Sequence, residues 1–247
     1  IHVTAGRPIT AQLLNAFQYS TDASALLPTG VLGVEYTLLS YPGVVGSGSQ
    51  YAIIATEDST EITITPTASA SFVDDAGKWF SVLPDVPYTV SLDRGEVHLV
   101  ITKPLHQDFT GTEMVGNKPI SVMGGAQGAF VPATAGAGAI DHIFEQMPHV
   151  GLWGTQCFTV PLATRLLGDT FRVIAREDAT VISIDGNEFV QLDRGQFHEW
   201  IATEPQAIES SKPALVQQYS HGGGYDGIIA DPFMMIVPDV SRTGSYY

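Results

Sequence analysis

The sequence predicts an all-β protein built from two related β-sandwich-like halves, and three observations carry that expectation. The stretch SLDRGEVHLV at residues 91–100 returns as QLDRGQFHEW at 191–200, and the likeness extends in both directions. Alternation of β-branched and polar residues, cut by Gly and Pro, dominates the chain and leaves little helical spacing. The charged fraction is only 15% against 44% hydrophobic residues, so most of the chain has a core to enter.

The elements follow in order. Three segments place a basic residue and Pro just before an expected strand: Arg7-Pro8, Lys118-Pro119 and Lys212-Pro213. Pro suits a strand's first residue or its edge, where no ladder hydrogen bond is lost. After each pair come an Asp and then a Pro, in DASALLP (Asp22, Pro28), DHIFEQMP (Asp141, Pro148) and DPFMMIVP (Asp231, Pro238). Between them lies a second half-unit, present twice. YAIIATEDSTEITITP at 51–66 matches FRVIAREDATVISIDG at 171–186, each a hairpin with one face buried, Ile62 and Ile64 in one copy and Ile182 and Ile184 in the other. Each LDRG then reads as a turn whose Gly supplies positive φ. His98 and His198, opposite Val97, Leu99 and Phe197, read as surface residues. Helical spacing survives only in LLNAFQYSTDASALL, and DHIFEQM has room for one turn.

Residues 1–112 form the first half and 113–247 the second, with a truncated third copy from about 207; the whole is expected to be one compact unit. The phase of the repeat lets the terminal half-unit complete a sheet begun at the N-terminus. The first half carries an insertion near 67–87, where the second has only Asp185-Gly186-Asn187 for a tight turn. Insertions on a repeated scaffold map to surface loops, where binding concentrates. Asp74, Asp75, Lys78, Trp79 and Phe80 are therefore the first candidates for ligand contact, with Trp153 as a further exposed aromatic.

The charge balance, 11 Lys+Arg against 26 Asp+Glu for a net −15, disfavours nucleic acid and tolerates cations such as calcium. One Cys permits no internal disulfide and no zinc cluster. No apolar run is long enough to insert into a membrane. The chain opens without Met on strand-like sequence, as a piece of a longer parent with other domains would.

Taken together, STDASALLPTGVLGVEYTLLSYP, SQYAIIATEDSTEITITP, NKPISVMGGAQGAFVPA, AIDHIFEQMPHVGLWGTQCFTVPLATR, FRVIAREDATVISIDG, SKPALVQQYS and DPFMMIVP resemble the IgG Fc-binding protein N-terminal domain family. The resemblance implies an extracellular role in secreted or surface proteins. Animal members carry cysteines where Gly128 and Ile140 stand here, so the chain resembles a bacterial-type member.

Candidate chemistry is sparse. HGGG at 221–224 matches the oxyanion loop of esterases, but no G-x-S-x-G accompanies it. Asp141 and Glu145, with His142 between them, form the densest ligand cluster; on a helix the two carboxylates would share a face and could hold a cation. The leading expectation is a non-enzymatic extracellular binding or adhesion module, without cofactor or with calcium, recognising a glycan or a surface protein. The alternatives are a structural spacer and, more remotely, a hydrolase using Asp141, His142 and Glu145.

Overall fold

The computed structural model describes residues 3–18, 20–44, 46–73, 79–102, 107–134 and 140–242. Its strands are β1 (Gln12–Phe17), β2 (Ser20–Ala25), β3 (Gly33–Thr37), β4 (Ser49–Ala55), β5 (Thr60–Thr65), β6 (Ala70–Val73), β7 (Trp79–Val82), β8 (Tyr88–Leu92), β9 (Val97–Ile101), β10 (Glu113–Ala129), β11 (Asp141–Gln146), β12 (Gly154–Thr159), β13 (Asp169–Ala175), β14 (Thr180–Ile184), β15 (Asn187–Leu192), β16 (Phe197–Ala202), β17 (Gln206–Ser220) and β18 (Phe233–Val237). Beyond short 3-10 turns, the described residues contain one four-residue helix, Gly223–Asp226, which begins within the HGGG stretch. The stretch with helical spacing near the N-terminus is instead the β1–β2 hairpin.

The chain divides into two compact units: 1–129 with 142–151, and 130–141 with 152–247. In the first, the sheet order is β8-β5-β10-β4-β9, with β3 and β11 also on β10; in the second it is β15-β14-β17-β13-β16, with β12 and β18 on β17. The two seven-stranded sheets are therefore related strand for strand.

The centre of each unit is one long strand. The first part of β10 pairs with β3 and β5, and from Ile120 onward it pairs with β4. Its change of partner falls around Lys118-Pro119, where Pro offers no N–H to either ladder. In β17, Lys212-Pro213 sits likewise between the stretch paired with β14 and the stretch paired with β13. The second and third basic-Pro pairs thus mark corners inside long strands, whereas Arg7-Pro8 precedes β1. A fully extended 17-residue strand spans roughly 56 Å, long enough to serve two layers of a sandwich.

Both LDRG turns have the expected form. Glu96 N–H donates to Asp93 O and Gln196 N–H to Asp193 O, at 2.9 Å each. Gly95 and Gly195 take φ of 85° and 74°, the third-position conformation of a type II turn. The Glu-Asp turns interlock with them. Asp93 accepts from Ser59 N–H (2.8 Å) while Asp58 accepts from Arg94 N–H (3.1 Å). Asp193 and Asp178 do the same for Ala179 N–H and Arg194 N–H, both at 3.0 Å. Lys118 and Lys212 then cap the main-chain carbonyls of Asp58 and Asp178. The repeated acids, bases and glycines are parts of one turn cluster, made twice.

His98 corrects the sequence reading, for it is buried, while Val97 and Leu99 on the opposite face are the exposed residues. Apolar residues alone do not settle which face of an alternating strand turns inward.

Candidate functional site

The insertion of the first half builds a hairpin. β6 pairs with β7 in the register Ala70↔Val82, Ser71↔Ser81, Phe72↔Phe80 and Val73↔Trp79. Phe72 and Phe80, directly opposite, stack with centroids 5.2 Å apart. Phe72 also meets the His98 ring edge-on at 4.9 Å. His98 Nε2 lies 3.0 Å from the Tyr88 hydroxyl, which in turn bonds to that of Tyr51. Burial holds this network neutral. It lowers the His98 imidazole to about 4 and raises the Tyr88 phenol to about 12, and Tyr51 rises for the same reason. The hairpin is thereby fixed to the interior through Phe72.

Trp79, at the far end of the hairpin, remains 66% exposed. A bridge between Ala70 and Thr102 ties the base of β6 to the end of β9. An open cleft of about 440 Å³ lies there, lined by Ser71 and Phe72 from β6, Leu99, Ile101 and Thr102 from β9 and its end, Gln127, and Gly46-Ser47-Gly48. Gly48 is required by the close approach of two backbones, since a Cβ there would sit 2.1 Å from the Thr102 carbonyl oxygen.

Of the residues singled out from sequence, Trp79 and Phe80 stand on this hairpin, Trp79 outward and Phe80 half-buried against Phe72. Asp74, Asp75 and Lys78 lie outside the described residues. Trp153 is 5% exposed, in the second unit, and cannot serve as an accessible anchor there. Phe72, Leu99 and Gln127 escaped the sequence reading; only the glycine pair in GSGS hinted that backbones meet closely here.

The Asp141–Glu145 cluster takes another form than a helix would give. Both lie on one strand, so their Cα atoms stand roughly 13 Å apart, too far for one ion, and His142 points to the other face. His142 is held between the side-chain amides of Asn15 (2.7 Å to Nδ1) and Gln50 (2.6 Å to Nε2), and burial lowers its pKa. Glu145 is buried and raised to about 7 by desolvation, with Ser24 Oγ at 2.5 Å. No group of three His, Cys, Asp or Glu suited to a metal occurs among the described residues.

These residues have an architectural role. Ser20, Asp22 and Ser24, alternate residues of β2, accept from the N–H groups of His142 (3.3 Å), Phe144 (2.9 Å) and Gln146 (3.0 Å). Side chains of β2 thus substitute for a ladder along the edge of β11. The recurring Asp22 sits within a strand and covers that edge.

No helix among the described residues is long and apolar enough to cross a membrane. No solved structure matches the chain. The human IgGFc-binding protein is 24% identical over 245 residues, which cover 94% of this chain and 4% of that protein. The chain therefore spans a small part of that relative's length. Because the relative is an animal protein, the bacterial branch expected from Gly128 and Ile140 gains no support from it. A family model described as IgGFc binding protein matches residues 22–247, the hairpin, the cleft and the strands of the second unit included, and the chain belongs to that family.

Proposed function

We propose that the chain is a non-catalytic, extracellular binding module of a longer secreted or surface protein, and that it recognises a glycan or protein partner through the β6–β7 hairpin and the cleft beside it. The observation that carries this reading is Trp79, 66% exposed on a hairpin whose other aromatics anchor it. Amphipathic aromatics presented on a rigid element are the usual energetic centres of recognition surfaces. Membership of a family named for binding, and a relative named for binding IgG Fc, support the same reading. The net charge of −15 disfavours nucleic acid as the partner.

The module works without a cofactor. The acidic turns, the repeated carboxylates of this negatively charged chain, accept backbone N–H groups of their own cluster. Millimolar calcium is accordingly expected to leave the melting midpoint unchanged, since only a ligand of the native state raises it. A clear upward shift would make the turns cation sites.

Immobilised protein tested against glycan and peptide arrays should retain ligands, and Trp79→Ala should weaken retention by about thirtyfold, as loss of a hot-spot aromatic does. Failure to retain any array member would leave the role of a structural spacer.

A further inference from the structure

The main-chain phase of β9 is fixed by its neighbours. Thr102 N–H donates to Ser49 O at 2.9 Å, and Ala55 N–H donates to Glu96 O at 3.2 Å. In an antiparallel ladder alternate residues direct both backbone groups to the same partner, so the even-numbered residues here face β4. Val97 and Leu99 therefore turn N–H and C=O outward, and among the described residues no strand pairs with them; the single bridge lies further on, at Ala70 and Thr102.

Their side chains are exposed as well, Val97 by 55% and Leu99 by 50%. A bare apolar edge invites pairing, and folds usually guard it with charge, proline or a covering segment. This protein guards other edges. In the first unit β11 is covered by the side chains of β2. The repeat counterpart of β9, edge strand β16, carries Glu199 in the place of Leu99, paired with Arg172 at 2.7 Å. Among the described residues β9 has neither device. Instead Leu99 and Ile101 form one wall of the cleft, and Ser71 and Phe72 of β6 another.

We infer that β9 receives an extended polypeptide segment as an added strand, laid along the cleft between β9 and β6. This rests on the binding-module reading and specifies its partner as protein rather than glycan. The outward N–H and C=O groups supply the affinity that an extended main chain alone can match at this spacing. Leu99, Ile101 and Phe72 then select apolar side chains at alternate positions of the segment. The net charge of −15 favours basic residues at the positions between.

The test is to pan a phage library of random short peptides on the immobilised 247-residue chain, with a glycan array in parallel. Selected peptides are then made with and without N-methyl groups at alternate residues. Leu99→Pro removes one outward N–H, at an edge position where no ladder bond to β4 is lost. Leu99→Lys places charge on the same edge without touching the backbone. Circular dichroism and melting confirm that each variant folds.

The expected result is selection of peptides with alternating apolar residues. N-methylation and each Leu99 variant should weaken their binding by about tenfold or more, that is, by at least about 1.4 kcal/mol. Peptides whose binding falls with Trp79→Ala but withstands both Leu99 variants and N-methylation would overturn strand addition and leave the binding module standing. Ligands from the glycan array alone would do the same. No ligand from either source would overturn both.

Discussion

Ala179 sits at φ 52°, a left-handed conformation that its Cβ opposes, because its N–H must reach Asp193. Ser59 takes the same conformation, φ 53°, in the first unit. Ala179→Gly should remove the Cβ penalty and lose part of that gain to the greater freedom of the unfolded chain, for a net stabilisation of roughly 0.5–1 kcal/mol. A urea midpoint that moves up with unchanged slope would show it, and a fall would mean that the local strain is absent. Cys157 makes the opposite case of a residue isolated from chemistry. It is buried in the core of the second unit, and burial, helped by the Asp239 carboxylate, pushes its thiol up to about 12. Since the thiolate is the reactive form, a thiol reagent at pH 8 should modify the unfolded protein and leave the native protein unmodified.

At the scale of elements, the turn cluster is the unit of repetition. Each pair of acids exchanges hydrogen bonds across two turns, so replacing one removes a carboxylate acceptor and loosens the other turn. Asp193→Ala should cost about 1–2 kcal/mol in chemical denaturation. With Asp178→Ala added, the loss should fall short of the sum of the singles, because both residues serve one cluster. These hairpins were legible in sequence because their signals are local: Ile62 and Ile64 alternate, Gly95 and Gly195 follow an Arg, and Asp185-Gly186 closes the short hairpin with φ of 51° and 78°. The β1–β2 hairpin was not legible. Leu13, Leu14 and Phe17 have helical spacing and are exposed, and β2 owes its place to side chains meeting β11 some 120 residues away. The cleft was equally hidden, since it arises where β6 comes against the end of β9 through the backbone bridge between Ala70 and Thr102 and the Phe72–His98 ring contact. Trp153 shows the limit of composition: an isolated aromatic carries no mark of whether packing will cover it.

Across the whole molecule, buried ionisable groups set a pH dependence in which two tendencies oppose. His98, His142 and His221 are all lowered, with desolvation the first cause in each; His98 reaches about 4. The Asp226 and Asp169 carboxylates act on His221 in the other direction without overcoming its burial. For each of these histidines the unfolded chain takes up a proton near its ordinary value of 6.5 while the folded protein resists. Their stabilisation is complete above about pH 6.5 and is lost as pH falls from there toward the folded values. Glu145 behaves inversely. Raised to about 7, it stays protonated in the fold while the unfolded chain ionises near 4.5, so its stabilisation is present at low pH and lost as pH climbs toward 7. Three groups against one decide the sign, and the urea midpoint should fall as pH drops from 7 to 5. Glu145→Gln then separates the two contributions. It retains an oxygen for the Gln146 N–H and the Ser24 hydroxyl but cannot ionise. The variant should be more stable than the parent at pH 8, where the parent must hold a buried carboxylate, and should lose stability more steeply toward pH 5 because the opposing group is gone. A parent and variant with parallel pH profiles would show that Glu145 titrates in the folded protein as it does in the unfolded chain.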